Sequence, residues 1–285
     1  MRHEARRWLA GFCAAAAVGG WVAAQAGTAG AATVGQAGSG QLSASTRLAS
    51  VVPAGAVYRP SGGILTLGSR GAAVRALQLR LNFLHYYAGK ADGYLGWDTM
   101  EAVWAFKEVQ SGEMIPSKPD IVGPAMQHQL VNPKLPPVLY PHGGPSRVEI
   151  NKKLEVLVVY RDNKQVLISH TSSAAYYRPD GTGWVTPDGR YSALEYVPGC
   201  VPDATFGGCM YNPVFFIGTS FAIHGMPNPT STFSGFGVPL NPASHGCVRI
   251  PLDISEFLHT LIKVGGHGSP IYVGGPNYYG NGAFQ

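Results

Sequence analysis

Near its C-terminal end the chain carries Ser244-His245-Gly246-Cys247-Val248-Arg249, a cysteine directly behind a histidine and a glycine, with an arginine two positions on. A thiol of ordinary pKa, about 8.5, is only a few per cent ionised at neutral pH, so a nucleophilic cysteine needs a base or positive surroundings. This stretch offers both. Gly246 lets the backbone approach a substrate closely, and the N–H groups of Gly246 and Cys247 could face a developing oxyanion. A second histidine, His224, ends the apolar run that starts at Phe221, reads as a strand residue, and is followed by Gly225. If the connection between them folds back, His224 and Cys247 meet as base and nucleophile. The same residues would also suit a buried structural cysteine beside a surface histidine, and the short string alone does not choose. A zinc site built from His224, His245 and Cys247 lacks a fourth ligand at suitable spacing. No metal or other cofactor is expected.

The elements that must position these residues are mostly short and β-branched. Stretches 148–150, 154–160, 165–169, 190–196 and 214–217 read as strands, and 271–273 closes the sheet. One amphipathic helix is expected over 252–262, with Ile254, Phe257, Leu258 and Leu261 inward. Many short strands with one helix fit a sandwich-like, mainly-β enzyme domain. Upstream the period changes. Val74, Leu77, Leu81 and Leu84 form a helical stripe, and Asp92-Gly93 marks a turn. Asp98 with Glu101 reads as a capping box opening a second helix that carries Val103 and Phe106. A third short helix is expected from Pro124 to about Leu130. The predicted class is α+β and multidomain: a small three-helix N-terminal domain, then the mainly-β domain.

Residues 1–31 read as a secretory signal peptide, with Arg2, Arg6 and Arg7 before an Ala-rich apolar core and small-x-small cleavage sites. That core is too short and too Gly-interrupted for a membrane anchor, so an exported protein without stable membrane insertion is expected. The leader holds Cys13, leaving Cys200, Cys209 and Cys247. In an oxidising compartment an odd set suggests one bridge and one free thiol. Cys200 and Cys209 flank a Pro/Gly-rich loop that a disulfide could close, with Cys247 left over; sequence alone does not fix the connectivity. The net charge of +5 is too diffuse to argue nucleic-acid binding and suits an anionic cell wall. Residues 32–63 read as a flexible Ala/Gly/Ser linker. The segment 132–146, with Pro133, Pro136, Pro137, Pro141 and Pro145, reads as a semi-rigid spacer between domains. The tail is 276–285.

His224-Gly225 followed by Ser244-His245-Gly246-Cys247-Val248-Arg249 resembles the active-site signature of the L,D-transpeptidases of the YkuD type. Gly183-Trp184-Val185-Thr186-Pro187-Asp188-Gly189-Arg190-Tyr191 looks like that family's turn and strand. The resemblance covers about 147–273 within an expected catalytic domain over 147–275. His224 and Ser244 stand 20 positions apart, a few more than the family usually shows. The run from Leu67 to Val74 with Leu77-Gln78 and Asp92-Gly93-Tyr94-Leu95-Gly96 similarly looks like a three-helix peptidoglycan-binding domain over 64–131, with Lys107 where the family often has Gln.

The resemblance implies acyl transfer on peptidoglycan stem peptides, donor and acceptor, by a wall-associated enzyme acting as a monomer. Cys247 is the expected nucleophile and His224 the expected base, its tautomer set by the Gly225 carbonyl. His245 shapes the site, although sequence leaves the reverse assignment of the two histidines open. Ser244 and Arg249 hold the loop or the substrate. Two rivals keep the same residues: an L,D-carboxypeptidase that admits water to the acyl-enzyme, and a non-catalytic wall-binding protein.

Overall fold

A computed structural model describes residues 58–174, 184–203, 205–233 and 236–276. The expected leader, most of the first linker and nearly all of the tail lie outside the described residues. Among the described residues no helix is long and apolar enough to cross a membrane.

Among the described residues three helices come first: α1 (Ala72–Phe83), α2 (Trp97–Ser111) and α3 (Pro124–Gln129). The stripe Val74, Leu77 and Leu81 on α1 is fully buried. Between these residues Gln78, also buried, ties the turn to both helices. Its amide donates to Tyr94 O (3.0 Å) and Thr99 Oγ1 (3.0 Å) and accepts Gly93 N–H (2.8 Å). The Lys107 ammonium, on α2, is held by the carbonyls of Lys118, Pro119 and Ile121 and so fastens the loop before α3.

The capping box is not formed. Helix α2 starts behind Gly96 with no side-chain cap. Glu101 turns inward instead: it is 1% exposed, both its oxygens lack a hydrogen-bond partner, and Asp253 and Asp98 stand nearby. Burial, reinforced by these two carboxylates, holds it well above the usual carboxylate range. A folded-state pKa above the unfolded one means stability falls as pH rises from the ordinary carboxylate pKa toward the raised value. Glu101→Gln should therefore gain Tm over wild type more at pH 8 than at pH 5, by at least about 2 °C; an equal difference at both pH values would contradict a neutral, buried Glu101.

Ten strands and a fourth helix follow. Strands β1 (Arg147–Asn151), β2 (Val156–Arg161), β3 (Lys164–His170), β4 (Gly189–Ser192) and β10 (Pro270–Gly274) make one sheet in the order β3-β2-β1-β10-β4. Strands β5 (Glu195–Tyr196), β7 (Cys209–Ile217), β8 (Phe221–Met226) and β9 (Val248–Pro251) make the second, with β6 (Cys200–Pro202) paired to β7. Both sheets are mixed, because β1 runs parallel to β10 and β8 parallel to β9. Between them lies a core of Val148, Ile150, Leu157 and Val159 against Val214, Phe216, Ile223 and Val248. It is closed by Ile254, Phe257, Leu258 and Leu261 of α4 (Leu252–Leu261), as their spacing predicts.

The outer face of the first sheet is buried as well. Side chains alternate across a strand, so Val156, Val158 and Tyr160 of β2 point away from the sandwich. They share a second core with Trp104, Phe106, Leu77 and Leu81 of the helices. This differs from the expectation of two domains held apart by a stiff spacer. The Pro-rich segment is pinned at both ends: Lys134 exchanges hydrogen bonds with Gln110 of α2 (2.9 and 3.0 Å), and Leu139 N–H donates to Glu149 of β1 (2.8 Å). Tyr140 stacks on Tyr272 at 4.5 Å. Prolines here fix a path along the surface of one compact body. The apolar β2 run is explained by burial on both sheet faces.

Candidate active site

The site is assembled where β8 and β9 lie side by side. Their parallel register sets Ile223 opposite Val248 and His224 opposite Arg249. Ile223, Val248 and Ile250 face the core, so His224, Cys247 and Arg249 fall on the opposite face and line one groove. That groove holds about 1000 Å³. The backbone at Gly225 runs against α4 so closely that an added Cβ would meet Ser255 Cβ at 2.7 Å. A glycine is required there to bring the histidine strand down onto the helix.

The Cys247 loop is fixed by hydrogen bonds from below. Ser172 and Arg249 exchange backbone bonds (3.0 and 3.1 Å), and Ser173 O accepts the N–H groups of Ala243 (3.0 Å) and Ser244 (2.9 Å). Ser244 is buried; its hydroxyl donates to Cys247 O (2.5 Å) and accepts Gly246 N–H (3.1 Å). Thr186 Oγ1 donates to Gly246 O at 2.8 Å and accepts Ala174 N–H at 3.1 Å. Gly246 has φ 140°, and a Cβ would collide with the Phe221 ring. One expectation is corrected here: the Gly246 N–H is committed to the Ser244 hydroxyl and is not a free oxyanion donor. Ser244 accordingly holds the loop. Arg249 borders the groove, and its guanidinium also reaches Gly237 O at 3.4 Å.

His224 is 5% exposed, and its Nδ1 lies 3.1 Å from Gly225 O. A carbonyl only accepts, so Nδ1 carries the proton and Nε2 keeps its lone pair. Burial pushes the imidazole down to about 4; the Gly225 carbonyl opposes this and Arg249 adds to it. The group is neutral, and able to take a proton, throughout the physiological range. Burial also raises the Cys247 thiol, against the Ala222 N–H, which donates to Sγ at 3.4 Å, and against Arg249; Asp203 adds to the rise. Positive surroundings alone therefore do not account for an ionised thiol here.

The opposite wall comes from the β6–β7 hairpin, which the sequence reading missed. Cys200 and Cys209 are joined across it, with Cα atoms 5.3 Å apart, and among the described residues Cys247 is the free cysteine. Asp203 caps the hairpin turn by accepting the N–H groups of Thr205 (2.9 Å) and Phe206 (3.0 Å). That presents Phe206 flat against His245, with centroids 3.7 Å apart and planes 1° apart. Trp184 stands edge-on to both rings. His245 is thus clamped between the hairpin and Trp184, away from the strand pair that sets His224. Only the placement of Trp184 and Thr186 in one motif hinted at these supports. Glu155, fully buried beneath the loop, gave no sequence signal; it accepts Ser173 Oγ at 2.6 Å and Ser173 N–H at 2.5 Å.

Comparison with family models matches residues 145–273 to the L,D-transpeptidase catalytic domain. Residues 145–273 belong to the L,D-transpeptidase family. Ahead of them, residues 70–111 match a putative peptidoglycan-binding domain. Among solved structures, an L,D-transpeptidase from Xylanimonas cellulosilytica is 29% identical, with a TM-score of 0.61 over 76% of this chain and 100% of that one. One from Stackebrandtia nassauensis is 16% identical, with a TM-score of 0.40 over 78% of this chain and 99% of that one. No curated protein matches. The two matched domains support the L,D-transpeptidase class, with peptidoglycan as the substrate, and association with the cell wall.

Proposed function

We propose that the protein is exported and uses Cys247 to take the acyl group of a stem tetrapeptide, releasing D-alanine and passing the acyl group to a neighbouring stem as a 3→3 cross-link. The observation that carries this reading is the commitment of His224 Nδ1 to the Gly225 carbonyl, on the strand beside Cys247, in a groove large enough for a peptide. It leaves Nε2 as a neutral base facing the same groove as the thiol. In this reading the binding domain spans 64–131 and the catalytic domain 147–275.

In the first half-reaction the thiol proton passes to His224 Nε2 as Sγ bonds to the carbonyl carbon, and the Cys247 N–H supports the oxyanion. Collapse breaks the C–N bond, and the imidazolium gives its proton to the departing amine of D-alanine. In the second, an acceptor side-chain amine attacks the thioester. Nε2 takes the amine proton, the C–S bond breaks, and the proton returns to sulfur. A thioester aminolyses without external energy, so the exchange needs no cofactor. Arg249 places positive charge beside this path, and the Phe206–His245–Trp184 cluster supplies an apolar wall for the peptide.

The test is mass spectrometry of disaccharide-tetrapeptide incubated with the purified protein. Dimers lacking one D-alanine are expected. Tripeptide monomer alone would replace transfer by L,D-carboxypeptidase activity, and unchanged substrate would leave a non-catalytic wall-binding protein.

A further inference from the structure

The connection from β8 to the Cys247 loop, residues 227–243, is the part of the site that is longer than the family resemblance led us to expect. It does not rest on its own domain alone. Asn228 Nδ2 donates to Asp98 Oδ1 (3.1 Å), and Thr232 Oγ1 donates to Asp120 Oδ2 (2.8 Å). Asp98 lies on α2 and Asp120 in the loop before α3, so both acceptors belong to the helical domain. The other oxygen of Asp120 accepts the indole N–H of the buried Trp104 at 3.1 Å, which fixes the carboxylate in place. Leu240 is fully buried in the core that the helices share with the first sheet. His170 Nε2 lies 3.0 Å from Pro239 O, and Nδ1 of the same ring lies 2.9 Å from Glu108 Oε1 on α2. A carbonyl accepts only, so Nε2 carries a proton.

The same connection builds one side of the groove. Pro227 and Phe236 line it, and Gly237 O accepts from Arg249. Its two limbs are packed together, since a Cβ on Gly237 would stand 2.7 Å from Pro229 Cα, and Leu240 N–H closes on Thr232 O at 2.9 Å. An anchor at Thr232 is therefore tied to Leu240, and the limb carrying Gly237, which Arg249 contacts, is packed on Pro229.

We infer that Asp120 and Asp98 of the helical domain are positioning residues for the transpeptidase reaction: they hold the 227–243 connection, and with it one wall of the substrate groove. The helical domain then has a second role besides wall binding. This rests on the reading of the groove as the stem-peptide site.

The test uses the full chain. Thr232→Val removes the hydroxyl at nearly constant volume, and Thr232→Ser keeps it. Thr232→Val is expected to raise KM for stem tetrapeptide at least about five-fold with kcat changed less than about two-fold, and Thr232→Ser to stay within about two-fold of wild type in both. Adding Asn228→Ala to Thr232→Val should raise KM further. Alkylation of Cys247 by iodoacetamide, which needs no groove wall, should proceed at the wild-type rate. Hydrogen exchange gives a readout that needs no activity: amides over 236–243 should exchange at least about ten-fold faster in Thr232→Val, with β7 and β8 unchanged. An enzyme inactive on tetrapeptide, yet showing that local exchange, would remove the functional reading and keep the anchor. Unchanged exchange and KM in Thr232→Val, or a Thr232→Ser variant as impaired as Thr232→Val, would overturn the inference.

Discussion

Cys247→Ser is expected to bring D-alanine release to background, a loss of at least about 10³-fold, with Tm and circular dichroism unchanged. The hydroxyl fits the same space and can still accept the Ala222 N–H. What is lost is acidity and leaving-group ability. Burial already raises the thiol, and a hydroxyl in that place would be far harder to deprotonate by an imidazole whose pKa burial has taken down to about 4. A serine ester would also give its acyl group to an amine more slowly than a thioester does. Release of D-alanine by Cys247→Ser at the wild-type rate would end the assignment of the nucleophile. In unreduced protein, Cys247 should be the thiol that alkylates, with Cys200 and Cys209 protected by their bond.

The second large effect belongs to His224. His224→Ala should lower kcat/KM about 10²–10⁴-fold, the usual cost of a positioned general base, whereas His245→Ala should cost less and act through the loss of the Phe206 and Trp184 contacts. The pH profile separates the two. A base with a pKa of about 4 is already neutral well below pH 6.5, so the acid limb of kcat/KM should fall near pH 4, and the rate should be nearly level through neutrality. The high thiol pKa keeps the profile free of an early alkaline limb. A limb near pH 6.5 that vanished in His245→Ala and survived in His224→Ala would exchange the roles of the two histidines.

Much of this site was legible because its parts are local. The parallel pair β8–β9 needs only two short apolar runs, and Gly225 and Gly246 mark the two points where backbone must pass within reach of Ser255 and Phe221. The helix over Leu252–Leu261 followed from its spacing. What was not legible depends on contacts between distant segments. Glu101 satisfied the capping-box pattern, but its side chain is buried instead, with Asp253 and Asp98 nearby. The β6–β7 hairpin is short, rich in Gly and Pro, and held by a disulfide, so periodicity gave no strand signal before Val214. The Pro-rich segment looked like a spacer because proline fixes local extension. Whether an extended segment bridges a gap or lies along a surface is decided by partners such as Gln110 and Glu149, which no window around the prolines contains.

The double-sided burial of β2 bears on ancestry. A domain that serves as an interchangeable accessory keeps a polar skin of its own and meets its neighbour through a thin, replaceable seam. Here the helices and the catalytic sheet have each given up that skin: Val156, Val158 and Tyr160 would face water without Trp104 and Phe106, and those rings would face water without them. Recombination that exchanged one half for a foreign one would expose an oily face on both products. Substitutions along that seam should therefore arise in compensating pairs.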